Sequence, residues 1–275
     1  MEYEIGFAEP WGKVLWLTDG TAQVGVSLDF GLRVVSLSCV GKENLFYAQP
    51  ADGSDGFTTE SGWRLRGGHR FWLAPESDDS YAPDNDPITY EILSDGVCFT
   101  QKADEILQVQ KSLVITFCDG EIRLEHKIVN LANEPKTWAL WGVNTLDGGE
   151  AEIPFPSVGG YSPYRTVSLW SDTDLRDPRL HFRRDGLTAK HVAIPGYCKL
   201  GLGLAEPPVV LYSKGQRLEI GFGVLRGEDY PDKGCNFELY MNDLFMELET
   251  LGVRCCLNPG EQASHIETWK IEAIA

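Results

Sequence analysis

The hydrophobic positions of this chain recur at every second residue. From Leu107 to Phe117, apolar residues occupy the odd positions except Lys111, and polar residues occupy most of the even ones. This period is typical of a strand with one buried face, and it excludes an amphipathic helix. Asp119-Gly120 follows, and then the alternation resumes from Ile122 to Ile128. The segment therefore predicts a β-hairpin closed by a type I′ turn.

The same pattern continues through most of the chain. Asp95-Gly96 and Lys214-Gly215 each separate two alternating runs, so they predict two more hairpins. We find no helical pattern longer than two turns and no repeat of the length used by solenoids or propellers. The fold class predicted is an all-β antiparallel sandwich, with residues 1–275 as a single domain. Further strands are predicted at Ala22–Leu28, Leu32–Cys39, Asn236–Asn242, Leu244–Leu251 and Ser264–Ile271.

Charge and composition narrow the classes of partner. The chain has 24 basic and 41 acidic side chains and a formal net charge of -17. This charge repels nucleic acid and disfavours anionic membranes, so we expect neither as a partner. No signal peptide or membrane-spanning stretch is evident, and the seven cysteines show no C-x-x-C spacing. Reduced thiols in a cytoplasmic protein are the interpretation that these features favour.

Two acidic residues stand out in the segment Phe245–Leu251. In a strand, Glu247 and Glu249 share one face, about 6.5 Å apart. Two carboxylates at that distance repel each other, which raises the pKa of at least one toward the range useful for proton transfer. By pattern alone, a solvated strand face in an acidic protein is the alternative.

A second segment, Gly67–Glu76, combines glycines, a basic residue and aromatic residues. An extended chain places Arg70 with Trp72 on one face and His69 with Phe71 on the other. A guanidinium beside an indole can hold a sugar, because the sugar's C–H face stacks on the ring and its hydroxyls accept hydrogen bonds. A cation–π pair that only contributes to stability is the alternative.

A third segment contains Trp138, Trp141 and Asn144. Two tryptophans three residues apart cannot share a strand face, so at least one is expected in the core. The histidines show no metal-ligand spacing, and we expect no metal or cofactor. The acidic loop at residues 76–86 could bind Ca²⁺ through clustered oxygens, but it lacks EF-hand spacing, which favours a solvated loop.

Four short motifs resemble the galactose mutarotase-like superfamily. Gly31–Leu37 followed by Gly41–Phe46 resembles its opening strand and turn, Leu248–Thr250 its base-bearing strand, and Leu257–Glu261 its L-x-P-G-E closing segment. The resemblance covers most of the chain in the right order. It implies a β-supersandwich that binds sugar in the concave face of its larger sheet.

The resemblance also implies an activity, the interconversion of sugar anomers by aldose 1-epimerases. It places the general base at Glu249. Where the family has the histidine that protonates the ring oxygen, this chain has Asn144 or an immediate neighbour, and Asn cannot deliver a proton at neutral pH. Either His69 or a protonated member of the Glu247/Glu249 pair is then the acid, or the site binds sugar without turning it over. The chain resembles an uncharacterised branch rather than true mutarotases.

Three functions follow as hypotheses: an aldose 1-epimerase-like isomerase, a non-catalytic sugar-binding or sensing module, and a sandwich that contacts another protein. The expected ligand is a small sugar or sugar derivative, and its identity is not readable from spacing. The oligomeric state is not readable from the sequence either. The residues predicted for the site are Glu249 and His69 as catalytic groups, with Arg70, Trp72, Trp141, Asn144 and Glu247 binding the substrate.

Overall fold

Strands dominate the computed structural model, which describes residues 1–157, 160–161, 164–203 and 205–274. The first seven strands are β1 (Glu2–Ala8), β2 (Gly12–Thr18), β3 (Ala22–Ser27), β4 (Arg33–Cys39), β5 (Gly68–Ala74), β6 (Thr89–Ile92) and β7 (Gly96–Thr100). The next seven are β8 (Val109–Cys118), β9 (Glu121–Asn130), β10 (Lys136–Leu146), β11 (Glu150–Pro154), β12 (Thr166–Leu169), β13 (Leu180–Phe182) and β14 (Gly186–Lys190). The last seven are β15 (Cys198–Gly203), β16 (Val209–Ser213), β17 (Gln216–Phe222), β18 (Phe237–Met241), β19 (Met246–Leu251), β20 (Cys255–Leu257) and β21 (Gln262–Ala273). Single helical turns lie at Asp78–Tyr81 and at Pro231–Gly234, which is α1.

The strands form two antiparallel sheets. The larger sheet has 11 strands in the order β1-β2-β3-β4-β5-β10-β19-β18-β15-β12, with β20 pairing to β10. The smaller sheet has 10 strands in the order β13-β14-β11-β16-β17-β21-β9-β8-β7-β6. The predicted all-β antiparallel sandwich is therefore confirmed. No helix among the described residues has the length and apolar character needed to cross a membrane.

Two of the three predicted hairpin turns have the predicted chemistry, whereas Gly96 lies inside β7 without a positive φ and the turn there runs from Leu93 to Gly96. Asp119 and Gly120 have φ values of 52° and 78°, and Lys214 and Gly215 have 51° and 65°, as a type I′ turn requires. One detail differs from the alternation pattern. Leu107 lies outside β8, because Gln108 has a φ of 54° and interrupts the extended backbone. The strand therefore begins at Val109, two residues after the start of the alternating run.

The main core lies between the two sheets. It is formed by the inward side chains of both, including Trp269 of β21, which is fully buried and meets Phe46 edge-on at 5.7 Å between ring centroids. Removing this apolar surface from water is the main stabilising contribution to the fold. A second apolar cluster lies on the other face of the larger sheet, where Trp63 and Phe245 pack against Trp72 and Trp141. This outer cluster surrounds the candidate site.

Candidate functional site

Three adjacent strands at the centre of the larger sheet, β5, β10 and β19, carry all seven predicted site residues. In the register, Val143 of β10 lies between Arg70 of β5 and Glu249 of β19. Because side chains alternate across a strand, the seven residues divide between two faces. Five face outward, away from the smaller sheet: Arg70, Trp72, Trp141, Glu247 and Glu249. His69 and Asn144 face inward.

The outward face contains a pocket of about 170 Å³. Its walls are mostly aromatic, and four charged side chains reach into it. Arg70, Trp72, Trp141 and Glu247 of the predicted set belong to the lining. The full lining is Phe57, Trp63, Leu65, Arg70, Trp72, Glu76, Tyr81, Trp141, Lys199, Tyr240, Phe245 and Glu247.

Arg70 forms one of two charged groups in this pocket. Its guanidinium donates to Glu247 Oε1 at 2.8 Å and to Thr145 Oγ1 at 2.9 Å, and the Thr145 hydroxyl donates to the same carboxylate oxygen at 2.7 Å. The guanidinium carbon also lies 4.2 Å from the centroid of the Trp72 ring. The predicted Arg70–Trp72 pair therefore exists, and Glu247 matches its charge.

Lys199 forms the second charged group. Its Nζ lies 3.1 Å from Glu238 Oε2 and 3.7 Å from carboxylate oxygens of both Glu249 and Glu76. It also lies 4.9 Å from the centroid of the Trp141 ring. Burial lowers the pKa of Lys199, but the three carboxylates outweigh that effect and raise it above its ordinary value. Lys199 therefore stays protonated at neutral pH and forms part of the pocket wall.

Glu249 lies beneath the pocket rather than in its lining. Its Oε2 accepts a hydrogen bond from Trp141 Nε1 at 2.9 Å, and its side chain is 1% exposed. Burial raises the pKa of Glu249 to about 7, with Lys199 opposing the shift. Glu238 is its direct cross-strand neighbour, and burial, followed by repulsion from Glu249, raises the pKa of Glu238 to about 9. Because both pKa values are raised, the Glu238/Glu249 pair tends to hold a proton near neutral pH.

The structure does not bring His69 and Asn144 to the pocket. His69 Nδ1 pairs with Asn144 Oδ1 at 2.9 Å, and His69 Nε2 pairs with His126 Nε2 at 2.8 Å. Asn144 also donates to Glu267 Oε2 at 3.3 Å. All of these groups are buried between the sheets. The expectation that His69 and Asn144 share a pocket with Glu249 is therefore corrected, because strand alternation directs them to the opposite face.

Sequence reasoning missed the groups that come from other strands and loops. Lys199 lies on the strand face opposite to Cys198, Leu200 and Leu202. That position signals a side chain on the outer face but does not say which strand lies beside it. Glu238 in β18 and the aromatic residues Trp63, Tyr81, Tyr240 and Phe245 were also not predicted.

The acidic loop at 76–86 has a different arrangement from a clustered cation site. Glu76 accepts a hydrogen bond from the Tyr81 hydroxyl and faces Lys199. Asp84 pairs with the buried Arg33 at 2.8 Å, and Asp86 pairs with Lys102 at 3.0 Å. Three of its five acidic side chains therefore have separate partners, and one of them, Glu76, belongs to the pocket.

Comparisons with solved structures identify the fold. The chain is similar to a TPR-domain containing protein from Parabacteroides distasonis, with a TM-score of 0.62, 13% identity and coverage of 94% of this chain but only 47% of that one. It is also similar to a galactose mutarotase-like protein from Lactobacillus casei, with a TM-score of 0.57, 13% identity and coverage of 94% and 100% of the two chains. A galactose mutarotase related enzyme from Lactobacillus acidophilus gives a TM-score of 0.57 at 10% identity, covering 95% of this chain and 98% of its own.

These similarities define the class of fold. No protein-family model matches the chain, and no curated protein matches it. The fold is that of the galactose mutarotase-like β-sandwiches, as the four sequence motifs predicted. At such low identity, the similarity concerns the fold alone, and the function rests on the residues of the site.

Proposed function

We propose that this protein binds a single sugar unit in the outward pocket of its larger sheet. The observation that carries the proposal is the combination of an aromatic wall with two ion-paired groups, Arg70–Glu247 and Lys199 with its three carboxylates. Aromatic faces stack on the C–H surface of a sugar ring, while charged donors and acceptors bind its hydroxyls.

Pocket size and charge support the same ligand class. The volume of about 170 Å³ is smaller than the range of roughly 300–1,000 Å³ typical of sites for drug-sized ligands. One sugar ring suits it better than an oligosaccharide. Because each cation already has a carboxylate partner, the pocket offers no free positive charge for an anionic ligand. An uncharged polyol is the ligand that we propose.

Titration calorimetry with a panel of monosaccharides tests this proposal. Trp63 lines the pocket and contacts Trp72 and Tyr81 at 5.7 and 5.0 Å between ring centroids. We expect Trp63→Ala to weaken sugar binding by about tenfold or more, because it removes part of the stacking wall. Tyr3→Ala is the matched control, since Tyr3 is an exposed aromatic residue of β1 outside the pocket. Failure of every sugar in the panel to bind would reject the proposal.

Anomer interconversion is a second candidate, and the raised pKa of Glu249 favours it. A carboxylate with a pKa of about 7 is well suited to accept a proton near neutral pH. In this reaction, Glu249 accepts the proton of the anomeric hydroxyl and the ring C–O bond breaks. The ring oxygen then takes a proton, and the pocket presents Lys199 as a donor toward it. Lys199 must move aside for a sugar to reach Glu249 directly.

Exchange spectroscopy by NMR distinguishes catalysis from binding. If Glu249 is the base, exchange between anomers exceeds the spontaneous rate, and Glu249→Gln reduces it to that rate while sugar binding persists. The rate also falls as the pH drops through about 7, because protonated Glu249 cannot accept a proton. Saturable binding with no added exchange assigns the protein to the non-catalytic class of sugar-binding modules.

The state of the cysteines bears on the cellular compartment of the protein. All seven cysteines are free thiols in the structure. Free thiols persist in reducing compartments, and we therefore propose the cytoplasm as the site of action. Fractionation of cells with an antibody against this chain tests that assignment.

A further inference from the structure

A second cavity, of about 290 Å³, lies away from the sugar pocket. It opens where β17 ends at Phe222, so that residues 262–266 of β21 pair with β9 on one side only. The lining is largely apolar, with Leu140, Leu225, Tyr230, Val253 and Ile266 among its members. His265 of β21 supplies an imidazole to the same lining, although its side chain is more than nine-tenths buried.

Hydrogen bonds behind His265 determine which of its nitrogens carries the proton. His265 Nε2 lies 2.8 Å from Thr250 Oγ1, and the Thr250 hydroxyl donates its proton to Glu267 Oε1. Glu267 also accepts from Trp269 Nε1 at 2.9 Å. Since the single proton of Thr250 is already used, its oxygen must accept from His265 Nε2–H. In the neutral ring, Nδ1 is then an acceptor with a free lone pair.

Nδ1 faces the cavity. Thr250 is the one hydrogen-bond partner that the His265 side chain has among the described residues. A Cβ atom placed on Gly252, which also lines the cavity, would lie 3.4 Å from Nδ1, so the missing side chain leaves this nitrogen accessible. Burial lowers the pKa of His265, with Glu267 opposing the shift, and this keeps the ring neutral at physiological pH. The result is an unpaired imidazole acceptor in the lining of a largely apolar cavity.

Of the other polar side chains in the lining, Tyr230 and Cys255 already have partners, whereas Ser264 is exposed. The Tyr230 hydroxyl accepts from the Leu225 amide at 2.8 Å, and Cys255 Sγ bonds to the Trp138 carbonyl at 3.3 Å. We propose that this cavity binds a small, mostly apolar molecule that donates one hydroxyl hydrogen bond to His265 Nδ1. A phenol has this chemistry, because an apolar ring meets the apolar walls and its O–H is a strong donor.

Two probes of nearly equal shape test the proposal on the full chain. The first is 4-methylphenol, and the second is 4-methylanisole, in which the donor proton is replaced by a methyl group. We expect 4-methylphenol to bind about tenfold or more tightly than 4-methylanisole by calorimetry, the difference expected from one hydrogen bond to a buried acceptor. In ¹⁵N NMR, His265 should show a protonated Nε2 and an unprotonated Nδ1, and 4-methylphenol should shift the Nδ1 signal.

Two glycines of the same cavity offer matched variants. Gly252→Ala places a methyl group against Nδ1, whereas Gly223→Ala adds one where nothing lies within 4 Å. Neither glycine has the positive φ that would strain an alanine. We expect Gly252→Ala to lose the preference for 4-methylphenol and Gly223→Ala to keep it, with unchanged thermal unfolding in both. Equal binding of the two probes, no binding of either, or a proton on Nδ1 in the NMR spectrum overturns the proposal.

Discussion

The two faces of β5, β10 and β19 use polar residues in opposite ways. On the outward face, charged groups occur in two ion-paired sets, Arg70 with Glu247 and Lys199 with Glu238, Glu249 and Glu76. On the inward face, neutral imidazoles and amides surround one carboxylate, Glu267. Both sets are buried, but their unused hydrogen-bonding capacity differs.

Among the described residues, buried side-chain atoms without a partner include Arg70 Nε, Glu238 Oε1 and Glu249 Oε1 on the outward side. In the described part of the inward network, His126 Nδ1 is the one fully buried atom in that condition, whereas His265 belongs to the lining of the second cavity. An unpaired buried polar group is costly, so it commonly marks a place where a ligand completes the bonding. The inward network, by contrast, has almost all of its bonds made and holds the sheets in one arrangement.

The largest effect on stability should come from the inward face. In Glu267→Gln, the new amide group opposes donors from Thr250, Asn144 and Trp269, and at least one donor loses its acceptor. We expect a loss of about 3 kcal/mol in the free energy of unfolding, measured with urea. Glu272→Gln on the exposed end of β21 is the control and should change it by less than about 1 kcal/mol. A similar small loss for both variants would contradict this account of the inward network.

A smaller loss of stability, with a larger effect on binding, is expected from the outward face. Arg70→Met leaves the Glu247 carboxylate without its cation and removes the stacking on Trp72. We expect a loss of about 2 kcal/mol and sugar binding weakened by about tenfold or more. The double variant Arg70→Met/Glu247→Gln should recover part of the stability, because no unpaired charge remains. Strictly additive losses would show that the two side chains are not coupled.

The pH dependence of stability tests the carboxyl pair on the outward face. The folded protein raises the pKa of Glu238 from 4.5 to about 9, so it favours the protonated form. The contribution of Glu238 to the stability of the folded protein is complete below about pH 4.5 and is lost as the pH rises toward about 9. Glu238→Gln cannot ionise, so its stability should decline less than that of the wild type over this range. The free energy of unfolding of both proteins is measured with urea at several pH values. If it changes with pH in the same way for the wild type and for Glu238→Gln, the raised pKa of Glu238 is contradicted.

The smallest effect concerns a single cation on the inward face. Lys111 of β8 is buried, its Nζ lies 3.5 Å from the Phe71 carbonyl, and burial lowers its pKa. At neutral pH the unfolded chain holds this proton more readily than the folded one, which reduces stability. Lys111→Met keeps the length of the side chain without the charge, and we expect it to add about 1 kcal/mol to the free energy of unfolding. A loss of stability would indicate that the buried amine makes a favourable interaction.

Much of the fold could be predicted because it depends on local features. Alternation along β9 and turn residues such as Asp119-Gly120 and Lys214-Gly215 act over a few neighbouring residues, so they can be read from the chain. The same rule predicted that Glu247 and Glu249 share a face and that Arg70 and Trp72 do. The interruption at Gln108 was missed, because an isolated left-handed residue other than glycine carries no clear local signal.

The candidate site could be predicted only in part, because its members come from strands that are distant in sequence. Lys199 meets Glu249 only because β15, β18 and β19 are neighbours in the sheet. Asn144 was assigned to the pocket by motif position, whereas a shift of one residue along a strand reverses the face. Without the pairing between strands, no spacing rule distinguishes the two outcomes.

The sequence alone thus determined the β-strand character, the hairpins, and which neighbouring residues share a face, because these depend on local geometry with a period of two. Only the tertiary structure decided that His69 and Asn144 join His126 and Glu267 inside, while Lys199 and Glu238 join Glu249 outside. The physical reason is that strand order and register bring together residues up to about 180 positions apart. Burial and charge partners then set the pKa and bonding capacity of each group.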